Sequence, residues 1–377
     1  MKFIRSILTR LSNILPKFNK TILLPYPDWE DMTLAIFDEL IKTKKNKIIW
    51  LLNKNSSVLF YKKLFPDTVV VKRSSIKGIF HLFTSKTIYC THGTFYRWVP
   101  KGMRIINLWH GFGFKAVGTY LKGIDRIACT HAISSSNYSR KFISIEMNLT
   151  ESSVYPLGFP RNDRLLNALN NWQIIKENLE FKNFKKIIIW MPTYRSSIEG
   201  DIRKDGIQYD NPFNLEYFDI EEFYKYLFSE NILCLFRAHP MSMKFELKQN
   251  SNFKLISDKW LLDNGISLYQ LLGITDLLIS DVSSVITDYL LIDKPIIHAM
   301  SDFDNYCANR PLLLSPPRDF LVGPLVKDQI CLVDEITLLF SGIDAYKEIR
   351  DKLKILFFDE NIDNRSTYRV LTHLEIN

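Results

Sequence analysis

The sequence is poor in cysteine, glycine and proline. Its 377 residues include five cysteines, with no C-x-x-C pair, 14 glycines and 15 prolines. An odd cysteine count without paired spacing excludes a disulfide framework and a thiolate zinc site, and it is typical of a reducing, cytosolic environment. With 46% apolar and 24% charged residues, the composition also excludes disordered and collagen-like chains. A chain of this length predicts two globular domains, each with its own core.

Long uncharged apolar runs are absent too. None reaches the roughly 18 residues that a helix needs to cross a bilayer, which excludes a transmembrane helix. A secretory signal peptide is also excluded, because Arg5 and Arg10 interrupt the apolar stretch near the N-terminus and no small-residue cleavage site follows it. Integral membrane insertion is therefore not expected.

Acidic residues are missing from the first part of the chain. None precedes Asp28, although the whole chain carries 41 acidic and 49 basic residues, a net charge of +8. Apolar residues recur in this region at helical spacing; they are Ile4, Ile7, Leu8, Leu11, Ile14 and Leu15. The pattern predicts an amphipathic helix within residues 1–18 that Pro16 ends.

Basic residues accompany this apolar stripe. They are Lys2, Arg5, Arg10 and Lys17. We expect the helix to lie on an anionic membrane surface, where each such charge adds about 1 kcal/mol of attraction, and to contribute nothing to the catalytic site. The alternative is a helix docked on the protein's own body through its apolar stripe, with its charges in solvent.

Short β-rich runs alternate with helical stretches from about residue 20, which is the pattern of α/β domains. In the first series, strands are predicted at Lys20–Pro25, Asn46–Leu52, Asp67–Val71, Thr87–Cys90, Arg104–Trp109, Arg126–His131 and Ser153–Pro156. In the second series they are predicted at Lys185–Met191, Ile232–Phe236, Phe253–Ile256, Asp276–Ser280 and Pro295–Ala299. We therefore predict two α/β domains with mostly parallel sheets, at residues 19–165 and 180–377.

Polar turns follow five of the predicted strands. They are Thr91–Gly93, His110–Gly113, Pro192–Arg195, Arg237–Pro240 and Asp281–Ser284. Ligands of open α/β sheets bind beyond the carboxyl ends of the strands, so these turns are the candidate binding and catalytic segments.

The turn at His110 predicts a general base. Gly111 and Gly113 let the backbone approach a ligand and leave the imidazole uncovered, so His110 can accept a proton from an attacking hydroxyl. The alternative is a structural histidine bonded to a carbonyl, with both glycines serving only the turn.

Three other turns carry groups that suit an anion. Arg237 with His239, and Arg195 after its own strand, suit a phosphate or diphosphate, although a single arginine is more often a surface ion-pair residue. The turn Asp281–Ser284 either binds an anion at a helix N-terminus or caps that helix through Asp281 or Ser283. Together the turns predict a cleft that holds a nucleotide diphosphate.

These residues resemble the CDP-glycerol glycerophosphotransferases, which prime or polymerise teichoic acids and related capsules. The matching segments are Trp109–Gly111 with Lys115 and Gly118, Gly158–Asp163, Met191–Arg195, Arg237–Pro240 and, most strongly, Leu278–Val285 continuing through Asp288–Pro295. They occur in order over roughly residues 85–335.

The resemblance implies a GT-B-like α/β fold, in which two Rossmann-like domains face a central cleft, and peripheral attachment to the cytoplasmic face of the membrane. It implies a CDP-glycerol or CDP-ribitol donor and a lipid-linked or polymeric acceptor. The implied reaction is in-line attack of an acceptor hydroxyl on the β-phosphorus of the donor, with release of CMP.

The resemblance also implies roles for individual residues. His110 would act as the base, with His239 as a second catalytic residue. The donor side would be formed by the residues Gly111, Arg195, Arg237, His239, Asp281, Ser283 and Ser284. Lys115 and Arg161 would stand on the acceptor side. These residues require no cofactor for the reaction. Asp281 and Asp288 could bind Mg²⁺, so a role for this ion stays open.

Two positions depart from the family pattern. Val282 stands where the family usually has tyrosine, which affects a donor contact, and Phe112–Gly113 stands where Thr-Pro is commoner, at the expected acceptor entry. No extra N-terminal module or repeat array is expected. The sequence therefore leaves open whether the protein adds one alditol phosphate or polymerises many. It also leaves open whether the donor carries glycerol or ribitol.

Two other functions remain compatible with the sequence. A GT-B glycosyltransferase that uses a nucleotide sugar would share the fold, since fold alone does not select the chemistry. A non-catalytic membrane-surface protein that binds a nucleotide or a polyanion would share the basic turns. Nucleic-acid binding is not expected, because basic residues beyond the N-terminus are interspersed with acids.

Overall fold

The protein is built on two parallel β-sheets that belong to different compact units. The computed structural model describes residues 2–43, 47–120, 127–193, 211–238 and 246–375. Unit 1 comprises Met1–Phe112, Val117–Arg164 and Phe358–Asn377, and unit 2 comprises Gly113–Ala116 and Leu165–Phe357. The chain therefore crosses between the units four times.

Seven strands form the sheet of unit 1. They are β1 (Phe18–Leu24), β2 (Lys47–Leu52), β3 (Val69–Lys72), β4 (Ser85–Cys90), β5 (Arg104–Asn107), β6 (His131–Ser134) and β7 (Val154–Pro156). Their order is β3-β2-β1-β4-β5-β6-β7, and every neighbouring pair is parallel. The helices of this unit are α1 (Lys2–Ile14), α2 (Asp31–Thr43), α3 (Val58–Leu64), α4 (Ile76–Thr84), α5 (Asn137–Met147) and α15 (Ser366–Glu375).

Six strands form the sheet of unit 2. They are β8 (Lys186–Met191), β9 (Ile232–Phe236), β10 (Phe253–Leu255), β11 (Leu277–Ser280), β12 (Ile296–Ala299) and β13 (Leu325–Val326). Their order is β10-β9-β8-β11-β12-β13, again with parallel neighbours. The helices are α7 (Trp172–Asn178), α8 (Ile220–Ser229), α9 (Asp258–Asp263), α10 (Leu268–Gly273), α11 (Val285–Tyr289), α12 (Phe303–Asn309) and α13 (Gln329–Phe340). Two more, α6 (Pro160–Asn170) and α14 (Lys347–Phe358), span boundaries between the units.

Aromatic side chains fill the core of unit 2. The indole of Trp190 on β8 is fully buried, and its ring lies 4.8 Å from that of Phe213 and 5.8 Å from that of Phe223 on α8. Such pairs stabilise a core beyond the burial of their area alone. A rigid core of this kind fixes the strand ends that carry the polar turns.

Each sheet reverses its strand order at one point. In unit 1 the reversal lies between β1 and β4, and in unit 2 it lies between β8 and β11. Open parallel sheets bind ligands at such a reversal, beyond the carboxyl ends of the strands. This rule selects Tyr26 and His92 after β1 and β4, and Thr193 and Asp281 after β8 and β11.

The helix α1 packs on unit 1 through its polar face. Thr9 and Ser12 are fully buried. Thr9 Oγ1 accepts a hydrogen bond from the Arg97 N–H at 3.1 Å, and Ser12 Oγ donates to the Phe83 carbonyl at 3.3 Å. The apolar residues instead face solvent; they include Phe3, Ile4, Ile7, Leu11, Ile14 and Leu15, with Ile14 80% exposed. Docking through the apolar stripe, the alternative raised by the sequence, is therefore wrong.

Two of the basic residues of this segment hold the helix in place. Arg5 donates to the carbonyls of Phe95 at 2.9 Å and Tyr96 at 2.8 Å. Lys17 Nζ donates to the Phe83 carbonyl at 2.6 Å and to the carbonyl of a residue in α1. Lys2 and Arg10 are exposed. Arg5 and Lys17 thus bind the protein's own backbone rather than face lipid.

The C-terminal segment belongs to unit 1, whereas the sequence assigns residues 180–377 to the second domain. Asp163 accepts hydrogen bonds from the Ser366 N–H at 2.9 Å and the Thr367 N–H at 2.7 Å, which caps α15 from unit 1. Asn361 donates to the carbonyls of Ser135 and Pro156 at 3.0 and 3.1 Å. These long-range bonds, which no local pattern encodes, fix residues 358–377 on unit 1.

The strand β6 lies further along the chain than predicted. The sequence favours a strand around Arg126–His131, and residues 121–126 lie outside the described part of the chain. The strand occupies His131–Ser134. Its last residue, Ser134, is buried, and Ser134 Oγ donates a hydrogen bond to the Ser136 carbonyl at 3.1 Å. Ser136 is buried too, and its side chain caps α5. A serine run that resembles a loop in sequence is here part of the core.

Candidate functional site

The His110 loop follows β5 directly. Buried Asn107 shapes it: Oδ1 accepts from the Trp109 N–H at 2.7 Å, and Nδ2 donates to the His92 carbonyl at 3.2 Å. Trp109 has φ 59° and Gly111 has φ 118°. A bulky residue in the left-handed region is strained, and such strain persists at functional sites when the surroundings hold it in place. These contacts present the His110 imidazole at the carboxyl edge of the sheet.

A second histidine stacks on His110. The rings of His92 and His110 lie 5.1 Å apart with an interplanar angle of 16°, and Tyr26 packs edge-on against His92 at 5.0 Å. The pairing of Cys90 with Asn107 across β4 and β5 brings the two turns together. The sequence predicts a candidate segment at Thr91–Gly93 but assigns no role to His92. Its position two residues after a strand end was the available signal.

The pKa values of both rings are lowered. Burial lowers the pKa of His110 to about 3, with smaller effects from His92 and Arg161 in the same direction and an opposing effect of the Thr91 carbonyl. Burial also lowers the pKa of His92. His110 Nδ1 is buried and makes no hydrogen bond within the described ranges. The ring is therefore neutral at physiological pH and able to accept a proton.

Arg161, predicted on the acceptor side, lies against the His110 loop. Its Nη1 donates to the His110 carbonyl at 3.0 Å, and its guanidinium lies 5.5 Å from the centre of the Phe159 ring. The residue is 7% exposed, near the start of α6. Arg161 therefore stabilises the backbone that carries His110.

A buried carboxyl group adjoins the same loop from α5. Burial raises the pKa of Glu146 to about 8, opposed by the Val117 N–H and the Trp109 indole. Glu146 is 2% exposed. Nothing in the sequence indicated this residue, because its place beside Trp109 depends on how α5 packs.

In unit 2, Asp281 links the ends of β8 and β11. It is fully buried. Its Oδ2 accepts from the Thr193 N–H at 3.0 Å, from Thr193 Oγ1 at 2.5 Å and from Asn214 Nδ2 at 3.2 Å, while Oδ1 accepts from the Val282 N–H at 2.7 Å. Both carboxylate oxygens are thus used within the protein, so the carboxylate orders the turn. Across the described residues no group of three or more His, Cys, Asp or Glu side chains could hold a metal ion.

The two serines after Asp281 precede the short helix α11. Ser283 and Ser284 are half-buried, and the Ser284 side chain makes no capping hydrogen bond. A Cβ added to Gly113 would lie 2.9 Å from Ser284 Cα, so glycine is required for this close approach. Lys115 pairs with Leu312 in an isolated bridge.

His298 on β12 forms a hydrogen bond to the same turn. Its Nδ1 lies 2.6 Å from the Asp281 carbonyl, and its Nε2 accepts from the Val322 N–H at 3.2 Å. Burial lowers the pKa of His298 to about 4, opposed by Asp281. The neutral ring, with its proton on Nδ1, satisfies both contacts. No motif in the sequence indicates a role for this histidine.

Arg237 follows β9 and is paired within unit 2. Its Nη2 lies 2.5 Å from Asp258 Oδ1, and its Nη1 donates to the Ile256 carbonyl at 3.3 Å. The sequence left open whether Arg237 binds an anion or forms an ion pair within the protein, and the ion pair with Asp258 is present. The predicted site residues Arg195 and His239 lie outside the described residues.

Comparison with protein families gives one match that covers nearly the whole chain. The model of the CDP-Glycerol:Poly(glycerophosphate) glycerophosphotransferase family matches residues 7–375. The match includes every candidate site residue beyond the first six positions.

Two curated relatives illustrate the range of similarity. The chain is 26% identical over 367 residues to a teichoic acid poly(ribitol-phosphate) polymerase of Bacillus spizizenii, covering 90% of this chain and 53% of that protein. It is 23% identical over 348 residues to a teichoic acid glycerol-phosphate transferase of Staphylococcus aureus, covering 85% and 84%. The chain spans about half the length of the first polymerases that it matches.

A solved structure shares the fold. A structure of the wall teichoic acid polymerase TagF, in the form H548A, superposes with a TM-score of 0.77 at 21% identity, covering 99% of this chain and 93% of that one. This likeness confirms the predicted GT-B-like α/β class with two parallel sheets.

Proposed function

The chain belongs to the CDP-glycerol:poly(glycerophosphate) glycerophosphotransferase family, and we propose that it transfers an alditol phosphate from a CDP-alditol to a hydroxyl of a polymeric or lipid-linked acceptor, releasing CMP. The observation that carries the proposal is the neutral His110, held by strained backbone at the carboxyl edge of its sheet. Relatives named as glycerol-phosphate and ribitol-phosphate enzymes support an alditol phosphate as the transferred group.

In the proposed reaction the acceptor oxygen attacks the β-phosphorus of the donor. A bond forms between that oxygen and phosphorus, the bond from phosphorus to the bridging oxygen breaks, and CMP leaves with the bridging oxygen. His110 takes the proton of the acceptor hydroxyl. Proton transfer of this kind needs a base that is unprotonated at the working pH, which the lowered pKa of His110 ensures.

The donor phosphates are assigned to groups of unit 2. Ser284 offers a hydroxyl that does not cap α11, and Ser283 is assigned to the donor beside it. Asp281 and His298 hold their turn in place. Arg237 and Arg195 supply positive charge, His239 supplies an imidazole hydrogen-bond donor, and Asp258 orients the Arg237 guanidinium. Preorganised donors of this kind stabilise the charge that develops on the phosphoryl oxygens.

A donor panel tests this function. We expect the purified protein to release CMP from CDP-glycerol or CDP-ribitol in the presence of an alditol-phosphate acceptor, and to release no UDP from nucleotide sugars. Nucleotide release is measured by chromatography, with reactions lacking acceptor as the control. Turnover of a nucleotide sugar, or donor binding without any release of CMP, would contradict the proposal.

The exposed apolar face of α1 supports attachment to the cytoplasmic membrane surface. Within the described residues, no helix is long and apolar enough to cross a bilayer. The face of α1 that would meet lipid is apolar, with Phe3, Ile4 and Ile14 between 61% and 80% exposed, and exposed Lys2 and Arg10 add positive charge. An amphipathic helix of this kind lies in the headgroup region with its apolar face inserted.

Polar replacements on this face test the attachment. The triple variant Phe3→Ser, Ile4→Ser, Ile14→Ser is expected to lose flotation with anionic vesicles, because it removes apolar surface that only lipid would bury. Its melting temperature should match the parent, since these side chains are exposed. Triple replacement of the exposed Lys62, Lys63 and Lys86 by serine provides the control. Flotation that is unchanged by the first variant would contradict the membrane proposal.

A further inference from the structure

Two adjoining pockets of unit 1 lie outside the roles assigned above. The larger, about 360 Å³, is lined mainly by apolar side chains; these include Leu8, Leu24, Ile79, Leu82, Phe83 and Phe95. The smaller, about 160 Å³, is lined by more polar residues, among them Tyr26 and His92. Leu24, Arg73 and Gly93 line both pockets, so the two adjoin at these residues.

The smaller pocket lies at the point where the sheet of unit 1 reverses its strand order. Tyr26 follows β1 and His92 follows β4, and these two rings are in edge-to-face contact. His92 in turn stacks on His110 at 5.1 Å. A molecule in the smaller pocket therefore contacts His92, whose ring stacks on that of the proposed base.

The larger pocket has α1 as one of its walls. Leu8 lines it directly, and Arg5 holds the Phe95 and Tyr96 carbonyls of the loop that forms another part of its lining. The opposite face of α1 is the exposed apolar one. A ligand in the larger pocket would therefore touch α1, whereas the sequence predicts that the N-terminal segment contributes nothing to the site.

Arg73 supplies charge where the two pockets join. Its side chain is exposed, and none of the hydrogen bonds or ion pairs within the described residues uses its guanidinium. A guanidinium binds phosphate in a bidentate manner. The lining is thus apolar in the larger pocket, carries the unpaired Arg73 guanidinium where the pockets adjoin, and includes His92 in the smaller pocket.

We propose that these pockets bind the lipid-bearing end of the acceptor: an apolar chain in the larger pocket, its phosphate on Arg73, and its hydroxyl-bearing portion extending past His92 to His110. This inference rests on the proposed function, because it names the acceptor of that same reaction. Apolar lining beside a membrane-facing helix matches a hydrocarbon chain, and the unpaired arginine matches an anionic headgroup.

Gly93 allows the pockets to be closed by substitution. A Cβ added at this position meets no atom within 4 Å, and its φ is not in the left-handed region. The variant Gly93→Leu therefore adds an apolar side chain at a position that lines both pockets, without straining the fold. Arg73→Gln removes the charge and keeps most of the side-chain volume. Lys86→Gln, an exposed cation at the amino end of β4, is the matched control.

The binding test uses dodecyl phosphate below its micelle concentration, with dodecyl glucoside and inorganic phosphate as comparison probes. We expect Gly93→Leu to weaken binding of both dodecyl compounds at least about tenfold. Arg73→Gln should weaken binding of dodecyl phosphate alone by about the same factor, which is the loss in affinity expected from one charge-assisted hydrogen bond. Arg73→Lys should restore part of the loss, and Lys86→Gln should change nothing. Melting temperatures verify that each variant is folded.

The kinetic test compares a lipid-linked acceptor with a free alditol, which carries the hydroxyl but neither the hydrocarbon chain nor the phosphate. We expect Gly93→Leu and Arg73→Gln to raise the KM for the lipid-linked acceptor, divided by the KM for the free alditol, about tenfold or more. Unchanged dodecyl phosphate binding in both variants, equal rises in the two KM values, or inorganic phosphate binding as tightly as dodecyl phosphate would each overturn the proposal. Because amphiphile binding is measured without a donor, a protein that releases no CMP from any CDP-alditol would refute the proposed function separately.

Discussion

Replacing His110 with alanine is expected to lower turnover by about 10²–10⁴, the usual contribution of a general base. The affinity for CDP-glycerol should change little, because the groups assigned to the donor phosphates lie in unit 2, whereas His110 lies in unit 1. Single-turnover CMP release gives the rate, and calorimetric titration with donor gives the affinity. His131→Ala, at the amino end of β6, serves as the control.

The pH profile provides an independent check on the same residue. A histidine whose pKa is lowered from 6.5 to about 3 is unprotonated throughout the neutral range, so activity should not decline as pH falls through 6.5. An acid limb centred near 6.5 that disappears in the His110 variant would show that the ring titrates as an ordinary histidine. Equal loss of rate and donor affinity in His110→Ala would indicate a structural residue.

Replacing Asp281 with alanine is expected to abolish transfer and to lower the free energy of unfolding by about 3 kcal/mol or more. The carboxylate accepts hydrogen bonds from Thr193, Asn214 and Val282 in a fully buried place. Each buried donor that loses its acceptor costs about 1–3 kcal/mol. Denaturant unfolding, followed by circular dichroism, measures the change.

A carboxylate at the other end of the same strand provides the comparison. Asp276 precedes β11, accepts from the Ile187 N–H at 2.8 Å and is partly exposed, so Asp276→Ala should cost clearly less stability and retain activity. If Asp281 instead recruits Mg²⁺, its variant would keep the parent's stability and lose only a metal-dependent part of the activity. That result would contradict the positioning role.

The strands were the most predictable part of the fold. The continuous apolar run of β9 predicts Ile232–Phe236, which is where the strand lies, because a fully buried strand needs a continuous apolar run. The orientation of α1 was not predictable. An apolar stripe normally faces the protein, but here the small hydroxyl residues Thr9 and Ser12 face inward and bond to groups 71 to 88 residues away.

The candidate site was predictable in part. Glycines after a buried strand were sufficient to single out His110, since that pattern is local. The His92 stack depends on the register between β4 and β5, and the Glu146 contact depends on helix packing, so neither is encoded in any short segment. The role of Asp281 was ambiguous in sequence because the same residue type caps helices, binds metals and orders turns.

The return of residues 358–377 to unit 1 has a consequence for biosynthesis. On the ribosome, Asp163 emerges long before the Ser366 and Thr367 amides that it binds, and all of residues 165–357 are synthesised in between. Domains generally fold as units while the chain emerges. The unit whose strands are made first is thus completed last, and nascent chains that stop before α15 expose the surface that this helix covers.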